Sequence, residues 1–484
     1  MLGSLGVTSA STLLWALGCG APAGTRLVAP QQASGEVRSW LRDAVARLSA
    51  VYPSAHALAV TRKRTTGAMD VLGSGVARAR HDGMVLTIRD RDGVWREHAT
   101  ADLSEGGVRA AVQALVGTRT LPSPARIAFP AAPPPPRSPD RIGDTELHNR
   151  LGAIHRNDRS SSSRIIYSAA LIDVDDVNVW SIAAGHDQEQ HVRRVRQLAT
   201  RAAWSGTRPI VSEVERGWTG AIEDHHLDEE AVTSASRHAL QLMTPGAFAD
   251  GEHTVVLEPE VTAAIVDAAV RGLLTTSALR RPEVARRSVI GASIAGQPLT
   301  LVDDPRSPGA YGGSAFDDEG ELAVPITLLD QGRVSGRLAD RAGVAAKLAS
   351  VAGRGRRAGH VGAVEPGPTH LQLSPGTATV KDLSTEGWQL EGTTTAVFDP
   401  ASDRIVIGVA RARELRNGND TGRVFGDVEL VGDLASLLAN ISGIGAETAT
   451  VVSRDERDGE PRWRSISAPW IRTRGMVRAR RRLT

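Results

Sequence analysis

Gly251-Glu-His-Thr-Val-Val-Leu-Glu-Pro-Glu-Val-Thr-Ala-Ala-Ile-Val-Asp-Ala-Ala-Val-Arg271 reads as a strand feeding a helix. Thr254-Val-Val-Leu257 is an apolar run of strand length, and the helix extends from roughly Pro259 to Leu274. Short strands and turns dominate the chain beyond it: Leu299–Val302, Leu322–Leu329, Val334–Leu338, Ala378–Val380, Thr394–Phe398 and Ile405–Val409. Asp330-Gln-Gly332 lies between two of these runs as a hairpin turn. Residues 251–475 are therefore expected to form a mostly antiparallel β domain.

Working back toward the N-terminus, the chain alternates helical and strand signals. Val37, Leu41, Ala44, Val45 and Leu48 recur at helical spacing. Ala57–Thr61, Gly67–Leu72 and Met84–Ile88 are short strands, and a helix beginning near Asp102 places Val108, Ala111, Val112 and Leu115 on one face, with Ser104 as its N-cap. This predicts a small α+β domain over 31–120. Leu121 to Asp140 is proline-rich and reads as a linker, since proline removes donors and enforces extended backbone. Residues 141–250 form a middle α+β region, with strands at Ser163–Ser168, Val177–Ile182 and His191–Leu198 and a helix from about Asp228 to Met243. The third of these strands alternates basic with apolar residues, as a strand with one wet face would. The fold class is α+β: a small N-terminal α/β layer domain and a larger β-rich C-terminal one.

Composition narrows the functional classes. The 484 residues exceed the ~100 to 200 of one typical domain. Lys+Arg of 57 against Asp+Glu of 55 leaves no broad field for phosphate polymers, so nucleic-acid binding is not expected. Arg472–Thr484 is locally very basic and reads as a solvated tail, 476–484 above all. Cys19 is the sole cysteine, which excludes an intrachain disulfide and a cysteine-based structural zinc site. It follows Leu13-Leu-Trp-Ala-Leu-Gly18, and residues 1–30 read either as a leader whose Cys19 is lipidated, as in bacterial lipoproteins, or as a disordered or mis-assigned segment.

Five landmarks occur in order from residue 251: Gly251–Glu260, Leu301-Val-Asp-Asp-Pro305, Phe316-Asp-Asp-Glu-Gly320, Leu328-Leu-Asp-Gln-Gly-Arg-Val-Ser-Gly336 and Gly353-Arg-Gly-Arg-Arg357. Their order and spacing resemble the TldD/PmbA metallopeptidase family. Asp90-Arg-Asp-Gly-Val-Trp95 followed by Ala101-Asp-Leu-Ser-Glu105 is similar to the family's N-terminal strand, turn and helix. The resemblance implies a cytoplasmic two-subunit peptidase enclosing a chamber for unfolded peptides. In it a TldD-type subunit holds zinc on a His-Glu-x-x-x-His helix with a distant cysteine, and a TldE/PmbA-type partner lacks both.

A catalytic zinc takes about three protein ligands and an open position. The helix that would carry the motif, Val261–Arg271, contains no histidine, and Ile441–Thr450 contains no cysteine. No catalytic or metal-binding residue is assigned, and zinc is expected only in a partner subunit. Within the family resemblance this implies a TldE/PmbA-like member: a subunit expected to work with a TldD-type protein on unfolded peptide, with membrane attachment only if Cys19 is lipidated. A stand-alone peptidase with an unrecognised site and an exported peptide-binding scaffold are the alternatives. Among other clusters, His225 and His226 precede a helix whose N-terminus accounts for the nearby acids, and His186 and His191 read as polar residues facing solvent. Asp317, Asp318 and Glu319 could orient peptide amines, although a solvated turn explains them too. Arg354, Arg356, Arg357 and His360 form a basic counterpart, read as chamber or partner contacts or as an exposed basic loop.

Overall fold

The computed structural model describes residues 33–123, 142–156, 162–206, 208–243, 248–357, 359–360, 362–457 and 460–480. Cys19, the possible leader 1–30 and most of the proline-rich segment lie outside the described residues.

The N-terminal half is one six-stranded sheet of order β3-β2-β1-β4-β5-β6. Its strands are β1 (Ser54–Asp70), β2 (Ser74–Arg89), β3 (Trp95–Thr100), β4 (Ile165–Ala183), β5 (His186–Trp204) and β6 (Pro209–Thr219). The expected division into 31–120 and 141–250 is replaced by a shared sheet. β1 pairs with β2 on one side and with β4 on the other, with Ala57 opposite Ile182. The two short strands expected at 163–168 and 177–182 are parts of β4. The acids between them, Asp173, Asp175 and Asp176, meet arginines on neighbouring strands and so continue the ladder.

Four helices cover one face: α1 (Ala33–Ser49), α2 (Glu105–Val116), α3 (Asp144–Arg156) and α4 (Glu229–Gln241). Leu41, Val45 and Leu48 of α1 and Val108, Ala111 and Leu115 of α2 bury Leu86, Ile88, Trp180 and Ile182. Leu147, Leu151 and Ile154 of α3 with Val232 of α4 bury Ile172, Val195 and Ala199. Ser104 caps α2 by accepting from the Gly107 amide at 3.1 Å.

The opposite face of this sheet is not wet. Leu58, Val177 and Val179 pack on Phe316 of the C-terminal half. The basic residues of β5 are covered as well: Arg194 is only 6% exposed and donates to the Tyr311 carbonyl at 2.8 Å and to the Gly313 carbonyl at 3.2 Å. The alternation of β5 therefore marks a buried, hydrogen-bonded face.

The C-terminal half is built on β7 (Gly251–Leu257), β8 (Leu301–Asp303), β9 (Ile326–Asp330), β10 (Arg333–Val334), β13 (His370–Leu373), β14 (Gly387–Asp399), β15 (Arg404–Arg416), β16 (Asn419–Asp433), β17 (Gly443–Arg457) and β18 (Glu460–Ala479); β11 (Gly355–Arg356) and β12 (Glu365–Pro366) make a separate pair. Among these strands only the β13–β18 and β14–β7 pairings are parallel. Because β7 pairs with both β14 and β18, the path β18-β16-β15-β14-β7 returns on itself. Helix α5 (Pro259–Leu273) packs against β14, β15, β17 and β18 and is buried on nearly every side, as a helix apolar all round must be.

Gln331 and Gly332 join Asp330 to Arg333 with φ of 49° and 78°, the left-handed pair that a two-residue hairpin requires. The expected frayed tail is strand to Ala479: Ile471, Thr473 and Val477 point inward while Arg478 pairs with Glu429 at 2.7 Å. The period-2 alternation outweighs the basic composition.

Candidate functional site

The sequence singles out two loci, the α5–β17 contact and the junction around residues 317–360. At the first, Val261, Ile265 and Ala268 of α5 share an aliphatic core with Ile441, Ile444 and Val451. The acids of α5 are already engaged. Asp267 lies 2.9 Å from the Arg464 Nε of β18 and 2.8 Å from Arg271. Glu260 accepts from the Thr393 amide at 2.9 Å, and Glu258 accepts from the Gly392 amide beside a bulge in β14. Burial, reinforced by Glu260, pushes the Glu258 carboxyl up to about 8, so it is mostly protonated at neutral pH. Among the described residues no group of three His, Cys, Asp or Glu could hold a metal ion. A hydrolytic zinc does not fit these side chains: the contact is lined by aliphatic carbon, and the buried Asp267 carboxylate of the helix is held by arginine.

At the second locus the acidic turn is a clasp. Asp317 is 2% exposed, and its oxygens accept from the amides of Glu319 (2.9 Å), Glu321 (2.9 Å) and Gly355 (2.7 Å). Asp318 accepts from the Arg357 amide and Glu319 from the Arg341 amide, each at 2.7 Å. Neither a solvated turn nor a free amine-binding loop describes this arrangement, since backbone N–H groups on 341–357 consume the carboxylates. Burial raises Asp317 to about 6 and Glu319 to about 7.

Arg354 is likewise not a surface contact. It is fully buried, paired through Nε with Asp303, and donates to the carbonyls of Gly353 (2.8 Å), Asp303 (2.9 Å) and Val324 (2.6 Å). Arg356 and His360 do reach a cleft. Val60, Val177, Val179 and Val192 form its floor on the N-terminal sheet, and Asp318, Arg357 and Trp463 stand on the other side. Gly83 makes room there, since a Cβ at that position would fall on the His360 ring.

Near the clasp, Ser181 is fully buried between His56 (2.9 Å) and His186 (3.2 Å), so His186 belongs to an internal polar cluster. Burial lowers both imidazoles, with Arg341 adding to it. Gly320, at φ 79°, closes over the Ser181 hydroxyl, and a nucleophile sealed in this way cannot meet a substrate. His191 faces Asp176 at 3.6 Å, and His225 and His226 are exposed, His225 against the edge of Trp218. Sequence reasoning missed Arg62, Arg194 and Trp463 as cleft residues. The density of arginine on β5 was the available signal.

Residues 250–480 match the family model described as the PmbA/TldA metallopeptidase C-terminal domain. Metalloprotease MJ0996 of Methanocaldococcus jannaschii is 23% identical over 243 residues, 49% of this chain and 53% of the relative. A metalloprotease of Methanothermobacter thermautotrophicus is 23% identical over 287 residues, 58% of this chain and 62% of the relative. The chain thus spans little more than half the length of the curated relatives it matches. Among solved structures, a Thermotoga maritima protein described as a candidate modulator of DNA gyrase superposes with a TM-score of 0.73 at 14% identity, over 92% of this chain and 99% of that one. TldE from Thermococcus kodakarensis superposes with a TM-score of 0.70 at 13% identity, over 91% and 100%. At these identities the likeness is one of fold, and it carries the α+β architecture across both halves.

Proposed function

From the chain's membership of the TldD/PmbA metallopeptidase family, to which its C-terminal domain belongs, we propose that it is a non-catalytic TldE/PmbA-type subunit. One observation carries this reading. Helix α5, the element on which the family resemblance expects the zinc motif, presents aliphatic side chains to β17, and its buried Asp267 is held by Arg464. On this reading a TldD-type partner supplies the zinc and the hydrolysis, and this chain supplies chamber wall and strand edges. Among the described residues β6 pairs only with β5, and β17 is bridged by Gly376–Ala378 along residues 444–446 and otherwise pairs only with β18, so β6 and the rest of β17 offer edges to which extended peptide can add through main-chain hydrogen bonds. The substrate would be unfolded peptide, read through its backbone more than its sequence.

The test is co-purification with a TldD-type protein bearing His-Glu-x-x-x-His, followed by hydrolysis of an unfolded peptide. The pair should cleave it and lose activity with chelator. A chain that stays monodisperse beside every TldD-type protein of its genome contradicts the proposal. The reading places the protein in the cytoplasm; recovery in a membrane fraction, abolished by Cys19→Ala, would assign it instead to an exported, lipid-anchored role.

A further inference from the structure

The cleft between the two halves holds more arginine than its acids balance. Arg62 pairs with Asp175 at 3.3 Å, Arg357 with Glu97 at 3.0 Å, and Arg462 with Glu365 at 3.4 Å. Arg194 and Arg356 also line the cleft, and among the described residues neither meets a carboxylate at ion-pair distance. Arg194 is buried, and the two carbonyls it bonds satisfy donors without cancelling its charge. Burial lowers its pKa to about 10; Asp175, which pairs with Arg62, opposes the shift, and Arg356 and Arg62 add to it, which places the three guanidinium groups in one field that Asp175 only partly offsets.

Two further features point the same way. The Ser314 hydroxyl lines the cleft, is buried, and has no hydrogen-bond partner among the described residues. Asp318 is the one carboxylate on the lining among the described residues, and it already accepts from the Arg357 amide. Crowding uncompensated cations in a half-enclosed space is costly unless an anion completes them. Guanidinium forks suit planar or tetrahedral oxyanions, and the valine floor with Trp463 suits an apolar body attached to one.

We propose that this cleft is a binding site for a small molecule carrying a carboxylate or phosphate group, with Arg194 and Arg356 holding the oxyanion, Ser314 donating to it, and the Val60–Val177–Val179 floor receiving the apolar part. The site lies on the face where the halves meet, so a bound anion would also tie the N-terminal sheet to the 311–357 segment. The assignment does not depend on the metallopeptidase reading.

Isothermal titration of the full chain tests it, with three probes: inorganic phosphate, N-acetyl-Val-Val free acid and N-acetyl-Val-Val amide. Binding of the free acid but not the amide identifies a carboxylate site, and binding of phosphate alone identifies a phosphate site. Either result supports the proposal if Arg356→Ala, a half-buried position whose loss leaves the Arg194 hydrogen bonds intact, weakens binding at least tenfold while circular dichroism is unchanged. Arg194→Met should abolish binding, but it also removes two carbonyl contacts, so Arg356→Ala decides the matter. Absence of millimolar binding by both anions, or equal affinity in Arg356→Ala, overturns the site.

Discussion

Replacing Arg354 with leucine should be among the most damaging single changes in the C-terminal half. The guanidinium is fully buried and engages the Asp303 carboxylate and three backbone carbonyls, those of Gly353, Asp303 and Val324. Breaking a buried ion pair from one side costs about 3 to 5 kcal/mol, because the surviving charge stays out of water. Here Asp303 retains the Thr369 and His370 amides, each at 2.9 Å, which cushions it. The orphaned carbonyls act in the other direction, at about 1 to 3 kcal/mol for each left unsatisfied, with losses at one site not simply additive. The net expectation is a loss of about 4 kcal/mol, a large fraction of the roughly 5 to 15 kcal/mol that keeps a domain folded. Arg354→Lys keeps the charge but not the fork, so it should recover less than half of the loss. Urea unfolding followed by tryptophan fluorescence would measure both variants. A loss below about 1 kcal/mol for Arg354→Leu would refute the idea that this pair organises the junction.

Two more perturbations test neighbouring contacts. The Glu258 carboxyl has a folded pKa of about 8 against 4.5 for a free glutamate, so its contribution to stability is complete below pH 4.5 and declines as pH rises toward 8. Glu258→Gln keeps the Gly392 contact and has nothing to ionise, so it should match the parent near pH 5 and exceed it by about 2 to 4 kcal/mol at pH 8; a stability gap that does not change with pH would contradict this. Gly320→Ala would force a left-handed non-glycine residue and drive a methyl onto Ser181 and His56. It should cost about 1 to 3 kcal/mol, measured as a lower thermal midpoint, whereas an unchanged midpoint would show that the clasp yields freely.

What the sequence disclosed and what it hid divide along one physical line, local against long-range determinants. The Thr254–Leu257 strand, the helix after it, the Asp330–Arg333 hairpin and the Ser104 cap are set by neighbours within a few residues, and all are found where periodicity and turn chemistry put them. Leu147, Leu151 and Ile154 carry an equally local signal for α3, which the reading of the middle α+β region, with its one helix at about 228–243, passes over. The fates of the charged residues were not local. Arg354 is buried because Asp303 lies 51 positions away, and Asp317 because Gly355 lies 38 away. Composition alone reads such residues as solvated, since charges are almost never buried unpaired, and the pairing is visible only in the fold. The same holds for Arg194, whose covering carbonyls come from a segment 117 and 119 positions downstream. The aliphatic character of α5, by contrast, was legible at once.

The central claim is that this polypeptide cannot by itself grip a hydrolytic metal. Zinc per chain, measured after incubation with excess zinc and gel filtration and paired with cleavage of an unfolded peptide with and without chelator, addresses that directly. The expected result is well under one zinc per chain and no cleavage by the chain alone, with activity appearing only when a TldD-type partner is added. One tightly held zinc per chain with chelator-sensitive cleavage in the absence of a partner would contradict it.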